Sequence, residues 1–85
     1  MQKILIIGAG LSGATIARQL AEKNYQITLI EKRDNIGGNC YDYKDKNSNI
    51  RIHKYGPHIF HTSNKRVFKW LSRFTEWIDY EHKVL

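Results

Sequence analysis

An α/β fold built on a parallel sheet is predicted by three features of this 85-residue sequence. A short apolar run, KILII, breaks into glycines; an amphipathic helical pattern follows at once; and a second apolar run, QITLI, closes on an acid. Strand, helix and strand in that order make a βαβ unit. One further strand, one further helix and the start of another strand follow, too few to complete the sheet. Residues 1–85 therefore read as the N-terminal portion of a single Rossmann-like domain.

KILIIGAG is short, apolar and ends in glycine, as a strand buried in a parallel sheet does. In LSGATIARQLAEKNY, residues Leu11, Ala14, Ala17, Arg18, Leu20 and Ala21 recur at helical spacing, and the small ones let a helix lie close to a sheet. Gln19, Glu22 and Lys23 fall on the outer face, and Asn24 is a stop signal. QITLIE is the second strand. KRDNIGGNCYDYKDKNSN reads as loop, with a Gly-Gly pair and then a polar run. IRIHKY alternates Ile50 and Ile52 with Arg51 and His53, the pattern of a half-buried strand. Thr62 or Ser63 caps a helix predicted to run to about Trp77, with Val67, Trp70, Leu71, Phe74 and Ile78 on its apolar face. Lys65, Lys69 and Arg73 lie opposite. YEHKVL starts another strand.

Bulk properties narrow the function classes. A single cysteine, Cys40, excludes an internal disulfide framework and cannot build a zinc site alone. No apolar run approaches the ~20 residues of a membrane span, and the start MQKILIIGAG is not a signal peptide. A cytoplasmic protein without membrane or nucleic-acid partners is expected. The formal charge of +6 suits an anionic ligand, which a nucleotide cofactor or a sugar nucleotide would supply.

Gly8, Gly10 and Gly13 form G-x-G-x-x-G between a predicted strand and a predicted helix, the context that gives this motif meaning. Gly8 permits the turn, Gly10 lets a pyrophosphate approach the backbone, and Gly13 lets helix and strand pack closely. Leu11 and Ser12 open the helix, whose free N–H groups and dipole favour phosphate. Glu31 stands 18 residues beyond Gly13, close to the ~20 expected of the acid that binds ribose hydroxyls. Its charge repels a 2′-phosphate, so FAD or NAD is preferred to NADP. Gly37 and Gly38 offer a second backbone turn, as a long FAD requires. Asn39 can donate an amide hydrogen to a pyrophosphate or ribityl oxygen. Arg33 either neutralises a phosphate, stacks near adenine, or is simply solvated along with Lys32.

The segments IIGAGLSGATIARQL, IEKRDNIGGN and HKYGPHIFHT, in this order, resemble the amino-terminal part of the UDP-galactopyranose mutase family. The first segment is common to many flavoproteins, whereas the third is more specific. The resemblance implies a flavin-dependent isomerase interconverting UDP-galactopyranose and UDP-galactofuranose, in which N5 of reduced FAD attacks the sugar's anomeric carbon. It also implies FAD contacts at Ser12, Glu31, Lys32, Asn39, His58 and Ile59. UDP-galactose is then the substrate of the longer enzyme, in galactofuranose biosynthesis for cell-wall polysaccharide. The substrate residues lie downstream of these 85, so this piece alone is expected to be inactive. A homodimer is left open.

Three histidines, His53, His58 and His61, fall within one short stretch. Their spacings of five and three match no zinc pattern, and no metal is expected. His53 reads as a hydrogen-bonded strand residue. His58, after Gly56 and Pro57, and His61 read as walls of a flavin pocket rather than proton-transfer bases. Cys40 reads as a small residue packed near the cofactor rather than a redox thiol. Two alternatives remain: an amine-oxidase-like flavoenzyme, against which GPHIFHT argues, and a basic module using Lys65, Lys69 and Arg73 against a polyanion.

Overall fold

The structure, a computed structural model, describes residues 1–78. The strand expected at YEHKVL, and His82 within it, lie outside the described residues. Strand β1 (Lys3–Ile7), helix α1 (Leu11–Ala21) and strand β2 (Gln26–Ile30) form the predicted unit. The two strands are parallel, in a register that sets Ile4 against Ile27 and Ile6 against Leu29. The Gly8 N–H extends the ladder by donating to the Ile30 carbonyl at 2.8 Å. Asn24 ends the helical turn in the left-handed region, at φ 66°, where a short amide side chain is tolerated.

Helix α1 meets the sheet along Gly13, Ala17 and Leu20, which are half-buried. This corrects the expected inner face, because Leu11, Ala14, Arg18 and Ala21 are exposed. At Gly13, where the helix closes on β1, there is no room for a side chain. Leu11 instead stands at the helix mouth, and Arg18 turns outward to pair with Glu22 at 2.9 Å.

The segment read as loop contains structure. A short 3-10 turn, Gly38–Cys40, leads into strand β3 (Asp42–Lys44), which pairs antiparallel with β4 (Arg51–His53). Asp45 makes the hairpin turn, its carboxylate accepting from the Ser48 N–H at 2.9 Å and hydroxyl at 2.8 Å. Those contacts hold the Asp45 carboxyl below its usual range, the Ser48 N–H contributing most.

The last helix is shorter than expected, with α2 spanning Lys65–Leu71. Its cap is Asn64, not Thr62 or Ser63: the Asn64 Oδ1 accepts from the N–H groups of Arg66 and Val67 at 3.0 and 3.2 Å. Asn64→Ala is expected to cost about 1 kcal/mol of helix stability, measurable as a loss of helical circular dichroism. An unchanged spectrum and melting curve would contradict that role.

Beyond Leu71 the chain bends back over α2. Trp77 stacks on Phe68 at 5.5 Å and on Phe60 at 4.8 Å between ring centroids. A continuous helix would place Trp77 on the side opposite Phe68. The Ser72 hydroxyl donates to the Phe68 carbonyl at 2.6 Å and accepts from the Trp77 indole at 2.7 Å, which fixes the bend.

The bend brings Arg73 to Glu22, 2.6 Å away. The Arg73 hydrogen bond, and then that of Arg18, hold the Glu22 carboxyl at about 2 rather than 4.5. A lowered carboxyl pKa contributes stability that is complete above its unfolded value and is lost on acidification. The tether should therefore weaken as pH falls from 4.5 toward about 2. Fluorescence of Trp70 and Trp77 should report this transition in the native sequence and lose that component in Glu22→Gln. Identical acid titrations of the two would contradict it.

Among the described residues only Ala9 is fully buried, at 1% exposure. Helix α1 covers one face of β1, while on the other face Leu5 and Ile7 are 59% and 79% exposed. A parallel sheet is normally covered on both faces. These 85 residues alone are expected to be marginally stable or to associate. A sharp, concentration-independent unfolding transition of the monomer would contradict that expectation.

Candidate functional site

At the carboxyl end of β1 two glycine turns meet back to back. The Gly37 N–H donates to the Ala9 carbonyl at 2.7 Å, joining the second turn to the first. A Cβ placed on Gly38 would lie 3.1 Å from the Gly10 Cα. Contact that tight, together with φ +60° at Gly38, makes a side chain at this position unfavourable.

Between the turns runs an open cleft of about 410 Å³. Gly8, Gly10, Leu11, Ser12 and Gly13 line one side, and Gly38, Asn39 and Cys40 the other, with Ile7 and Gly37 also contributing. Nine of the residues singled out in the sequence (Gly8, Gly10, Leu11, Ser12, Gly13, Gly37, Gly38, Asn39 and Cys40) are thus brought together. Ile7 was missed, and its position as the last residue of β1 is the signal that could have found it, since ligands bind beyond the carboxyl ends of parallel strands.

The glycines of the first motif serve different ends. Gly13 has no room for a side chain, because its Cβ would overlap the Gly8 carbonyl oxygen. At Gly10 the nearest atom to an added Cβ is the Gly38 Cα at 3.9 Å, an ordinary contact. The protein alone does not demand glycine at position 10. A Cβ there would instead narrow the cleft.

Helix α1 starts at this cleft with no side chain capping it. Its first N–H groups have no partner within the helix, and the helix dipole places partial positive charge there. The arrangement suits an anion, above all one with oxygens spaced along a chain.

Glu31 lies just past β2 and reaches under the first turn. Its Oε1 accepts from the Ala9 N–H at 2.8 Å, and Oε2 accepts from the Arg33 N–H at 2.8 Å. These bonds, Ala9's first, lower the Glu31 carboxyl from its ordinary value. The acid is therefore ionised at neutral pH, and it satisfies the backbone of the most buried residue in the turn. Two of its roughly four lone-pair directions are left for other donors.

Arg33 runs back across the second turn, donating from Nη1 to the Asn39 Oδ1 at 3.1 Å, with its guanidinium 4.3 Å from the Tyr55 ring centroid. Lys32 is exposed, and none of Glu31, Lys32, Arg33, His58, Ile59 and His61 lines the cleft. The His58 N–H donates to the His53 Nδ1 at 3.1 Å, so His53 is a hydrogen-bonded strand residue as expected. Helix α2 starts four residues after His61, not beside it. Among the described residues, no three His, Cys, Asp or Glu side chains gather in a metal-binding group. Nor is any described helix long and apolar enough to cross a membrane.

Residues 6–74 match the family model of the NAD(P)-binding Rossmann-like domain. The chain is 47% identical to a probable UDP-galactopyranose mutase of Klebsiella pneumoniae, over 98% of the chain and 22% of that protein. It is 51% identical to the dTDP-fucopyranose mutase of Escherichia coli, over 99% of the chain and 22% of that protein. A weaker likeness, 32% over 76% of the chain and 12% of the relative, links it to the flavin-containing amine oxidase A of Equus caballus. The chain thus spans about a fifth of the length of the mutases it matches. The resemblance to UDP-galactopyranose mutase read from the sequence holds across nearly all of it.

Proposed function

This chain belongs to the NAD(P)-binding Rossmann-like domain family, and from that premise we propose that it is the FAD-binding part of a UDP-galactopyranose mutase. The observation that carries the reading is the open cleft over Gly10, where the fold tolerates a side chain but a pyrophosphate would not. The N–H groups of Leu11, Ser12 and Gly13 would receive the phosphate oxygens, with Gly8 shaping the turn. Gly38 and Asn39 would close on the dinucleotide from the other side. The lone pairs of Glu31 not used by Ala9 and Arg33 would accept from ribose hydroxyls, and its charge disfavours a 2′-phosphate. That selects FAD over an NADP-type ligand.

When bound and reduced, FAD supplies a nucleophilic N5 for the sugar's anomeric carbon without net redox change. This chain's own residues bind and orient it. The residues that hold the UDP-sugar belong, on this reading, to the remainder of a longer cytoplasmic enzyme. The amine-oxidase alternative is disfavoured by its lower identity and coverage. The polyanion-binding alternative is weakened because Arg73, one of its three cations, is committed to Glu22.

One second reading has direct support, since the Escherichia coli relative is named for dTDP-fucopyranose. The full-length protein, loaded with FAD and reduced with dithionite, should interconvert the two ring forms of UDP-galactose faster than it acts on dTDP-fucopyranose. Preference for the dTDP sugar would move the assignment to that substrate. Turnover without flavin would overturn the reading altogether.

A further inference from the structure

We propose that Tyr55 is a positioning residue for the dinucleotide, acting through Arg33 on the amide of Asn39. The proposal rests on the FAD-binding reading and adds to it a residue that does not line the cleft. Two contacts and the place of Asn39 carry it. The Arg33 guanidinium lies over the Tyr55 ring at 4.3 Å, a cation–π geometry. The Arg33 Nη1 donates to the Asn39 Oδ1 at 3.1 Å. Asn39 itself lines the cleft opposite the start of α1.

The chemistry of the amide turns these contacts into a device. An Asn side chain has an acceptor end and a donor end of nearly the same shape. A guanidinium can only donate, so whichever end faces Arg33 has to be the carbonyl oxygen. The NH₂ end is left for the cleft, where an anionic ligand needs a donor and would be repelled by a carbonyl. Arg33 is a long, exposed side chain and would not hold that geometry unaided. The Tyr55 ring gives it a platform, and the Arg33 backbone N–H is pinned to Glu31 at 2.8 Å. Tyr55 is in turn held where its hydroxyl donates to the Asn35 Oδ1 at 3.3 Å.

The ring, not the hydroxyl, is the working part. Tyr55→Phe keeps the ring and should leave FAD affinity near the native value. Tyr55→Leu should weaken it about two- to fivefold, the fold-change an exposed cation–π contact carries. Arg33→Ala should weaken it at least as much, and it serves as the second variant if Tyr55→Leu proves unstable.

The test is FAD titration of the full-length protein, followed by flavin fluorescence, for the native sequence, these three variants, Asn39→Ala, and Tyr55→Leu combined with Asn39→Ala. With Asn39 removed, Tyr55→Leu is expected to have no further effect. A loss in Tyr55→Leu that persists undiminished without Asn39 would overturn the proposal, as would equal losses in Tyr55→Phe and Tyr55→Leu. Native protein that takes up no FAD would overturn the underlying reading instead, and this measurement comes first so that the two failures are told apart.

Discussion

Gly13→Ala is expected to prevent the β1–α1 unit from forming. The added methyl would overlap the Gly8 carbonyl oxygen and approach the Gly8 carbonyl carbon at 3.1 Å, both backbone atoms that cannot swing away as a side chain would. Relief requires moving α1 off the sheet, which would expose Ala9, the only fully buried described residue. With so little apolar surface buried, no reserve of stability exists to absorb that shift. The variant should appear in the insoluble fraction, or be soluble without native helical signal. Native circular dichroism and melting behaviour in Gly13→Ala would contradict the packing described for this turn.

Gly10→Val should behave in the opposite way, keeping the fold and losing the ligand. The nearest neighbour of an added Cβ is the Gly38 Cα at 3.9 Å, so the first carbon fits without rearrangement. The branched side chain would then occupy the opening between the glycine turns. A dinucleotide's pyrophosphate needs that space, and it needs the N–H groups at the start of α1 behind it. Two glycines three residues apart in one motif thus separate a structural requirement from a binding requirement.

The first part of the chain was legible because its signals are local. Apolar runs ending in glycine, small residues at helical spacing and an acid after the second run identify β1, α1, β2 and Glu31 without knowledge of distant contacts. Strand β3 was not legible. It is only Asp42–Lys44, embedded in a polar run, and becomes a strand through pairing with β4. Helix α2 was overextended because Phe74 and Ile78 continue the apolar spacing past Leu71. Beyond Leu71 the chain bends back, with Trp77 stacked on Phe60 and Phe68, a tertiary arrangement that spacing alone does not encode.

The site follows the same division. The glycine fingerprint gave the cleft, since backbone turns are dictated by the glycines themselves. The double use of Glu31, which holds the Ala9 N–H as well as facing outward, depends on the turn's three-dimensional path. So does the Arg33 guanidinium, which the structure commits to Asn39 and Tyr55, residues 6 and 22 positions further along the sequence. Glu31, Lys32, His58 and Ile59 were expected at the cofactor on resemblance to the mutase family, and the cleft formed by the described residues does not include them.

Binding of FAD in the cleft between the glycine turns is the property on which the proposed function depends. It is tested most directly by the flavin content of the full-length protein and of its Gly10→Val variant, each purified in the presence of FAD, desalted, and read by visible absorbance per mole of folded chain. Near-stoichiometric flavin in the native protein, with little or none in a Gly10→Val variant of unchanged circular dichroism, is the predicted result. Equal flavin in the two proteins, or none in either, would contradict it.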